Sequence, residues 1–421
     1  MKKVFIYVSA CERRELDAMR LKAYLVANSY LVVSHPKEAD IILFIACAVL
    51  DRPTKISFNK IAAFQKYDAE LIVAGCLPAI ESKKLTSIFK GKTFTSEDIN
   101  THPEKIDQLF PDITIPFASI ADANALFQNI EKSTLFGIVH MILHTIPLHK
   151  MMYDIRFYVL NHLFGDHVIF YRLLLKESSY QIRTSWGCHG NCAYCAIHKA
   201  VGTLQSKTIE QCVIEFKQGL DQGYKHFILT ADNIGAYGLD IGTTFPTLLD
   251  SLSSFDGNYD IMVLNVHPRW VVKYIDQLEA IASRNTIRSL DIPFQSGSPR
   301  ILKLMNRYSD IQNIRDACTR LKKANPQIVL GTDFIIGFPS ETVDDLSKTL
   351  DFVKDVGFRV GTAIKFSCKQ GTEAEKILPI VSNHEINKRF AFAKKNLKQA
   401  GFSIISTPQL HYFVFSQKTA D

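Results

Sequence analysis

The chain has 421 residues, of which 47% are hydrophobic and 22% are charged, so it is long enough for two or three folded domains. Its net charge of +7 permits a polyanionic partner without pointing to one. Nine cysteines are too few for a disulfide scaffold in a chain of this length, and six of them form two sets of three. We therefore expect metal or cluster ligands in a reducing, cytoplasmic compartment.

The chain begins with a short apolar run at residues 4–10, followed at once by charged residues 12–15. A signal-peptide core is usually longer than this run. The sequence therefore predicts a buried first strand and no export.

Residues 1–110 alternate between short apolar runs and helical patterns, with strands predicted at 4–8, 40–45 and 70–74 and helices at 14–28 and 55–67. This alternation predicts a parallel sheet covered on both faces. Cys11, Cys47 and Cys76 each follow one predicted strand, and the carboxyl ends of parallel strands meet at one edge. We expect an iron–sulfur cluster there, the alternative being three small apolar residues packed at strand ends.

Residues 111–179 form a connector, and its part at 133–175 is rich in apolar and aromatic residues. No uninterrupted apolar run reaches the ~20 residues that a transmembrane helix needs. The pattern favours two or three amphipathic helices packed on the core, and a membrane-surface or partner-binding face is the alternative. His140 and His144 could share a helix face and bind a metal, although such a pair is more often surface or core histidine.

A glycine-containing loop carries Cys188, Cys192 and Cys195 in the spacing C-x3-C-x2-C, after a predicted strand at 180–185. Structural zinc takes four ligands, and a simple electron-transfer cubane takes four cysteines. Three cysteines would leave one iron of a cubane open for a substrate or cofactor. Three packed or disulfide-bonded cysteines are the alternative, but a disulfide leaves one thiol over.

From this loop to residue 366 the chain repeats a strand–helix rhythm. Further strands are predicted at 227–230, 261–266, 287–292, 328–336 and 360–366, and helices at 207–222, 244–253, 271–282, 311–324 and 342–356. Six such units predict a partial (β/α)6 barrel with its active site at the carboxyl ends of the strands. Cys212 and Cys318 lie in helical patterns and are expected in the core, and packing is also expected for Cys368.

The cysteine loop, with Tyr194 directly before its last cysteine, resembles the signature of radical S-adenosylmethionine enzymes. The resemblance implies that the three cysteines hold a 4Fe-4S cluster whose open iron binds S-adenosylmethionine through its amino and carboxylate groups. Reduction then cleaves this cofactor to a 5′-deoxyadenosyl radical. The cofactor carries the radical chemistry, and the protein positions it and excludes water and oxygen.

Residues from about 3 to 110 and from about 180 to 400 resemble the methylthiotransferase family of these enzymes. In this family the three amino-terminal cysteines hold a second 4Fe-4S cluster, so the implied metal ligands are Cys11, Cys47, Cys76, Cys188, Cys192 and Cys195. The resemblance also implies cofactor-binding residues, namely Tyr194, Asp232, Asn233 and Gln295 near S-adenosylmethionine and Gly337 and Pro339 at its adenine end.

The chain departs from the family pattern at a few positions. Arg14 and Ala46 replace two asparagines, and Val201 replaces an arginine after the cysteine loop. The polar surroundings that tune the second cluster are therefore expected to differ.

The carboxyl-terminal part contains a predicted closing helix at 383–399 with a basic polar side, followed by β-like runs at 402–405 and 411–415. Most members of the family end in a small β-barrel called TRAM. Five strands of ~5 residues need about 25 residues before any turns, so we expect this barrel to be absent or reduced to a hairpin. The expected domains are 1–110, 111–179, 180–372 and 373–421.

The resemblance implies an enzyme that converts an unactivated C–H into C–S–CH3. Residues 235–249 look most like the branch that acts on threonylcarbamoyladenosine beside the tRNA anticodon, whereas residues 291–293 look like the branch that modifies an aspartate of a ribosomal protein. The expected partners are tRNA and an electron donor such as flavodoxin or ferredoxin. The alternatives are a protein, peptide or small-metabolite substrate, or a non-catalytic iron–sulfur protein.

Overall fold

The computed structural model describes residues 1–129, 179–406 and 411–417. These residues separate into two compact units. The first unit holds residues 1–129 and Ala196–Thr203, and the second holds residues 179–195, 204–406 and 411–417. The predicted connector helices at 133–175, with His140 and His144, lie outside the described residues.

The first unit is built on a five-stranded parallel sheet with strand order β2-β1-β3-β4-β5. Its strands are β1 (Lys3–Ser9), β2 (Leu31–Val33), β3 (Ile41–Ala46), β4 (Glu70–Gly75) and β5 (Lys92–Thr93). Its helices are α1 (Glu12–Ala27), α2 (Asp51–Phe64), α3 (Leu77–Ile80), α4 (Ser82–Ile88), α5 (Asp98–Thr101), α6 (Pro103–Leu109) and α7 (His198–Val201).

Alternate side chains of the central strand β3 enter two separate cores. Leu43 and Ile45 pack in the core that also contains residues of α1 and α6, and Phe44 packs in the opposite core with residues of α2. All six residues of β3 are buried, because side chains alternate along a strand and both faces are covered. The predicted doubly covered parallel sheet is confirmed.

The second unit is built on an eight-stranded open sheet with strand order β14-β15-β13-β12-β11-β10-β9-β6. The strands of the unit are β6 (Tyr180–Arg183), β7 (Ser185–Trp186), β8 (Gln205–Ser206), β9 (His226–Thr230), β10 (Asp260–Val263), β11 (Ile287–Asp291), β12 (Val329–Ile336), β13 (Val360–Lys365), β14 (Ser403–Ile405) and β15 (Tyr412–Ser416). Its helices are α8 (Ile209–Asp221), α9 (Phe245–Ser253), α10 (Pro268–Lys273), α11 (Ile275–Ala282), α12 (Pro299–Leu304), α13 (Ile311–Ala324), α14 (Val343–Val356) and α15 (Asn383–Gln399).

The strands from β6 to β13 in this sheet are parallel, which confirms the predicted six-unit partial barrel. The two predicted β-runs of the tail are strands β14 and β15. They pair with each other, and β15 also pairs antiparallel with β13, so the tail extends the barrel sheet at its last strand.

Two local predictions were wrong. The segment 271–282, predicted as one helix, is two helices, α10 and α11, separated at Tyr274, whose ψ of 19° departs from the helical value. The Tyr274 ring stacks on Trp270 with 5.9 Å between ring centroids. The edge strands β2 and β5 were not predicted, because two or three residues are too short for a periodic pattern.

Among the described residues, no helix combines the length and the apolar character needed to span a bilayer.

Candidate functional site

The cysteine loop of the second unit is fastened on two sides by backbone hydrogen bonds. The Ala193 N–H donates to the Met305 carbonyl at 2.9 Å, and the Ala374 N–H donates to the Ala193 carbonyl at 2.8 Å. The Asn306 side-chain amide donates to the Asn191 carbonyl at 3.1 Å. The loop is therefore positioned by segments that follow β11 and β13, at the carboxyl ends of the parallel strands.

The thiols of Cys188 and Cys192 lie beside a small space that Gly190 leaves open. A Cβ on Gly190 would lie 3.3 Å from the Cys188 sulfur and 4.0 Å from the Cys192 sulfur. The Cys195 N–H donates to the Cys192 carbonyl at 3.0 Å, which turns the chain back toward the first two cysteines. Across the described ranges no three His, Cys, Asp or Glu side chains surround one point closely enough for a single metal ion. A cubane takes each thiolate on a separate iron, so such a cluster does not require the three thiols to meet at one point.

Arg307 and Tyr194 form the buried wall of this loop. Arg307 Nη1 donates to the Cys192 sulfur at 3.5 Å, and Nη2 donates to the Pro293 carbonyl. Burial raises the pKa of Tyr194 well above its usual value, and the neighbouring Cys192 and Cys195 raise it further, while Arg307 opposes them. The wall thus supplies one positive charge and one neutral phenol beside the sulfurs.

Several buried polar atoms at the strand ends lack a hydrogen-bond partner within the described part of the chain. They are Thr184 Oγ1, Thr230 Oγ1, Asn233 Oδ1, Ser289 Oγ and Gln295 Oε1. Buried polar groups are normally hydrogen-bonded, so such a set requires an explanation. A polar ligand bound at the carboxyl ends of the strands would satisfy these atoms.

Asn233 and Gln295, two of the predicted cofactor residues, belong to this set, and Asn233 lies beside the cysteine loop. The Asn233 side-chain nitrogen is 4.0 Å from the position of a Cβ on Gly190. Gln295 is buried with a φ of +75°, and its backbone bonds to Asp333 and Ile335. Asp232, between β9 and Asn233, is half-buried.

The predicted adenine loop after β12 is held by two residues that the sequence did not assign to the site. The Gly337 N–H, at a φ of +86°, donates to Glu341 Oε2 at 2.7 Å. Arg389 of α15 donates from Nη1 to the Glu341 carbonyl at 2.6 Å and lies 3.3 Å from Oε2. Pro339 is buried between Gly337 and Glu341. Glu341 therefore joins the loop to the closing helix.

Burial raises the pKa of Glu341 to about 7, against the opposing effects of the Gly337 N–H and Arg389. The pKa of His267, which follows β10, is shifted in the opposite direction. Burial, Arg307 and Arg269 lower it to about 2. Its Nδ1 accepts from the Arg269 N–H at 3.1 Å, so the neutral ring carries its proton on Nε2. His267 was also missed as a site residue, although it ends a predicted strand.

The amino-terminal cysteines follow three adjacent strands of the first unit, as the sequence predicts. Cys11 caps α1 after β1, Cys47 follows β3, and Cys76 follows β4. The Cys76 N–H donates to the Ala46 carbonyl at 3.0 Å, and a Cβ on Gly75 would lie 2.8 Å from that carbonyl oxygen. Glycine is therefore required at the end of β4 for Cys76 to approach the end of β3.

Cys76 lies within electrostatic reach of the other two thiols and of Arg14. Burial raises its pKa to about 12, Cys11 and Cys47 add to this, and Arg14 opposes it. Arg14 forms a 3.0 Å ion pair with Asp17, and the two side chains are 3% and 1% exposed. The arginine that replaces the family asparagine is therefore a buried cation, already paired, near the three thiols.

The remaining predictions on single residues have different outcomes. Cys212 and Cys318 are fully buried core residues, as predicted. The packing expected for Cys368 was wrong, because this residue is exposed after β13. Val201 is buried in α7 of the first unit.

Comparison with known families matches both units. Residues 182–353 match the radical SAM superfamily, and residues 3–95 match the uncharacterized protein family UPF0004. A probable threonylcarbamoyladenosine tRNA methylthiotransferase of Pyrococcus horikoshii is 26% identical, with 89% of this chain and 79% of the relative covered. A tRNA-2-methylthio-N(6)-dimethylallyladenosine synthase of Clostridium botulinum (strain Okra) is 27% identical, with 92% and 79% covered. The ribosomal protein uS12 methylthiotransferase RimO of a Thermotoga species is 26% identical, with 90% and 80% covered.

Solved structures show the same fold at low sequence identity. The radical S-adenosylmethionine methyltransferase TsrM from Kitasatospora setae aligns with a TM-score of 0.57 and 12% identity, covering 89% of this chain and 74% of that one. The radical enzyme OxsB aligns with a TM-score of 0.53 and 12% identity, covering 94% and 56%. The radical SAM domain implies a 4Fe-4S cluster and S-adenosylmethionine, which fit the three thiols and the partnerless polar atoms described above. The two matched domains, together with relatives named as methylthiotransferases, support assignment of this chain to the methylthiotransferase family of radical S-adenosylmethionine enzymes.

Proposed function

We propose that this chain is a radical S-adenosylmethionine methylthiotransferase that replaces the hydrogen of an unactivated C–H with a methylthio group. The observation that carries the proposal is the presence of two sets of three cysteines. Each set lies at the carboxyl ends of parallel strands in its own unit, in a chain related over about nine tenths of its length to methylthiotransferases. One set of three cysteines would account for the cluster that forms the radical. It would leave no second cluster to provide the sulfur of the methylthio group.

In the second unit, Cys188, Cys192 and Cys195 hold the first 4Fe-4S cluster. With S-adenosylmethionine bound, this cluster supplies the one-electron reduction that releases a 5′-deoxyadenosyl radical for hydrogen abstraction. Gly190 provides the room for the sulfurs, and the bonds from Ala193 to two neighbouring segments keep the loop in place. An electron donor such as flavodoxin or ferredoxin delivers the electron.

The polar atoms at the strand ends bind S-adenosylmethionine. Asn233 lies beside the cysteine loop, and it and the preceding Asp232 suit the amino and carboxylate groups, whereas Gln295 lies at the ends of the neighbouring strands β11 and β12. Gly337 and Pro339 form the wall for the adenine, because a left-handed glycine lets the backbone approach a flat ring closely. These roles are supported by the buried partnerless oxygens of Asn233 and Gln295.

In the first unit, Cys11, Cys47 and Cys76 would hold a second 4Fe-4S cluster that would provide the sulfur, and a second S-adenosylmethionine would provide the methyl group. The donor set suits iron, because soft thiolate ligands select iron–sulfur clusters. Burial disfavours a free Cys76 thiolate, and coordination to iron would offset this cost, because the positive charge of the metal stabilises the thiolate. The buried Arg14 lies within electrostatic reach of Cys76, but its pairing with Asp17 offsets much of its charge there.

The substrate that the observations favour is tRNA, modified at an adenosine beside the anticodon. Relatives from Pyrococcus and Clostridium carry tRNA-modifying names, and the net charge of +7 suits a polyanion. The Thermotoga relative is named for a ribosomal protein, and Asp291 with its two successors resembles that branch. A methylthiolated ribosomal protein is therefore the second candidate product.

The proposal is tested by mass spectrometry of tRNA nucleosides from cells with the gene, without it, and with a Cys188→Ala copy. We expect a methylthioadenosine derivative that is lost in the deletion and is not restored by the variant. Ribosomal proteins from the same cells are digested and examined for a gain of a methylthio group on aspartate. Loss of that peptide mark with unchanged tRNA would establish the second candidate, and an unchanged mass in both pools would refute the proposal.

A further inference from the structure

Helix α15 is strongly basic for its length. Its acidic residue is Glu385, whose Oε1 accepts a 3.0 Å hydrogen bond from Arg389 Nε. Its lysines are Lys388, Lys394, Lys395 and Lys398. Among the described residues, none of these lysines forms an ion pair, so their charge is available to a ligand.

Part of this charge lies on one exposed helix face with an aromatic residue at its centre. Lys388, Phe392 and Lys395 occupy positions i, i+4 and i+7, which share a face of an α-helix. Phe392 is 39% exposed although the other phenylalanine of the helix, Phe390, is buried. The partly exposed ring of Phe392 therefore lies between two exposed lysines that are about 10 Å apart along the helix axis.

A second pair of lysines lies beside this face. The ammonium groups of Lys365 and Lys394 lie 4.6 Å and 4.7 Å from the centre of the same Phe390 ring. Their hydrogen-bond partners are the neutral side chains of Asn387 and Ser406. Burial lowers the pKa of Lys394, and the neighbouring Lys365 and Lys398 lower it further, so an anion would relieve this repulsion.

The position of these lysines relates them to the candidate site of the same unit. Lys365 is the last residue of β13, at the carboxyl end of the parallel sheet. Arg389 joins α15 to Glu341 in the predicted adenine loop after β12. The lysine-bearing surface therefore begins at the strand ends where the partnerless polar atoms lie.

We propose that this surface binds the RNA substrate, with Lys365, Lys388, Lys394, Lys395 and Lys398 contacting phosphates and Phe392 stacking on an unpaired base; we call it the α15 basic face. The inference rests on the proposed RNA substrate and assigns the residues that hold it. Single-stranded RNA is bound by positive grooves that contain aromatic stacking platforms, which matches this arrangement. A membrane-surface helix needs a broad apolar face, and here Phe392 is the exposed large apolar residue of the helix.

The test measures binding of an unmodified tRNA transcript to the full chain by fluorescence anisotropy at several salt concentrations. The variants are K388Q/K395Q and F392A, and the matched control is K217Q/K323Q, which removes two exposed lysines from α8 and α13. We expect K388Q/K395Q to make the slope of log K against log salt concentration less steep by about 1.4. Each lost phosphate contact with single-stranded RNA removes about 0.7 from this slope. F392A should weaken binding about tenfold with the salt dependence unchanged, because stacking does not release counterions.

The control variant should bind like the parent protein, and thermal unfolding should be unchanged in all three variants. Equal effects in K388Q/K395Q and K217Q/K323Q would overturn the inference, because binding would then follow net charge alone. Binding to phosphatidylserine vesicles that K388Q/K395Q abolishes, with RNA binding intact, would overturn it in favour of a membrane surface. If both variants bind tRNA normally while the deletion strain lacks the methylthioadenosine, the α15 basic face is refuted and the proposed function stands.

Discussion

Replacement of Arg307 by methionine should make the barrel cluster harder to reduce. The guanidinium lies 3.5 Å from the Cys192 sulfur, is buried, and forms no ion pair with a carboxylate in the described part of the chain. Reduction adds one electron to the cluster, and a nearby positive charge stabilises that added charge. Methionine keeps much of the apolar volume of the side chain while removing this charge.

The size of the effect follows from the distance. The added electron is shared by the cluster, so we take a separation of about 6 Å between it and the guanidinium. Two unit charges at this distance interact by about 3 kcal/mol in a medium of effective dielectric constant ~20. For a one-electron couple this energy corresponds to a reduction potential lower by about 120 mV.

The assay is a redox titration followed by electron paramagnetic resonance, in a C11A/C47A/C76A background that keeps only the barrel cysteines. R307K retains the charge and should shift the potential far less than R307M. Arg315→Met on α13 removes an equivalent charge, paired with Asp355 and 38% exposed, and should leave the potential unchanged. Equal potentials in R307M and R307K, at equal iron content, would show that the charge of Arg307 does not act on the cluster.

Three further predictions concern stability, each measured by urea unfolding. In the folded state the pKa of Glu341 is about 7, compared with an ordinary value of 4.5. The folded protein therefore binds this proton more tightly than the unfolded chain does. Stability should therefore fall by up to about 3 kcal/mol as pH rises from 4.5 to 7, and E341Q should remove this slope. Arg14→Met should cost about 3–5 kcal/mol, because it removes one partner of a buried ion pair, and a smaller loss in R14M/D17L would confirm this cause. Gly361→Ala should cost more than Gly242→Ala, because its Cβ would lie 2.3 Å from the Thr332 carbonyl, whereas the Gly242 Cβ has nothing within 4 Å and only its φ of +72° costs about 1 kcal/mol.

The sequence was sufficient to predict both sheets and the placement of six cysteines at their edges. This worked because buried parallel strands are continuous apolar runs, and because the end of such a run is visible in the sequence. The helix at 311–324 was predicted to the residue, since Asp310 caps its amino terminus and lysines occupy its last turn.

The residues that act through tertiary contacts could not be predicted in the same way. Arg307 lies 115 positions from Cys192, and Arg389 lies 48 positions from Glu341, so neither pairing leaves a periodic signal. The partnerless state of Thr230 and Ser289 depends on the whole backbone around them. A basic residue shortly after the helix that follows a strand end, as Arg307 is after α12, is the only local sign that was available.

Each set of three thiols has a buried arginine in its own unit, but the two arginines differ in their partners. Arg14 is paired with Asp17, so the two charges largely cancel at the distance of the cluster. Arg307 has no such carboxylate among the described residues, and its charge acts on the thiolates in full. An additional electron is therefore stabilised more strongly beside Cys192 than beside Cys76, if the two clusters are otherwise alike. This difference would favour delivery of the electron to the cluster that is proposed to cleave S-adenosylmethionine, and it would leave the proposed second cluster oxidised.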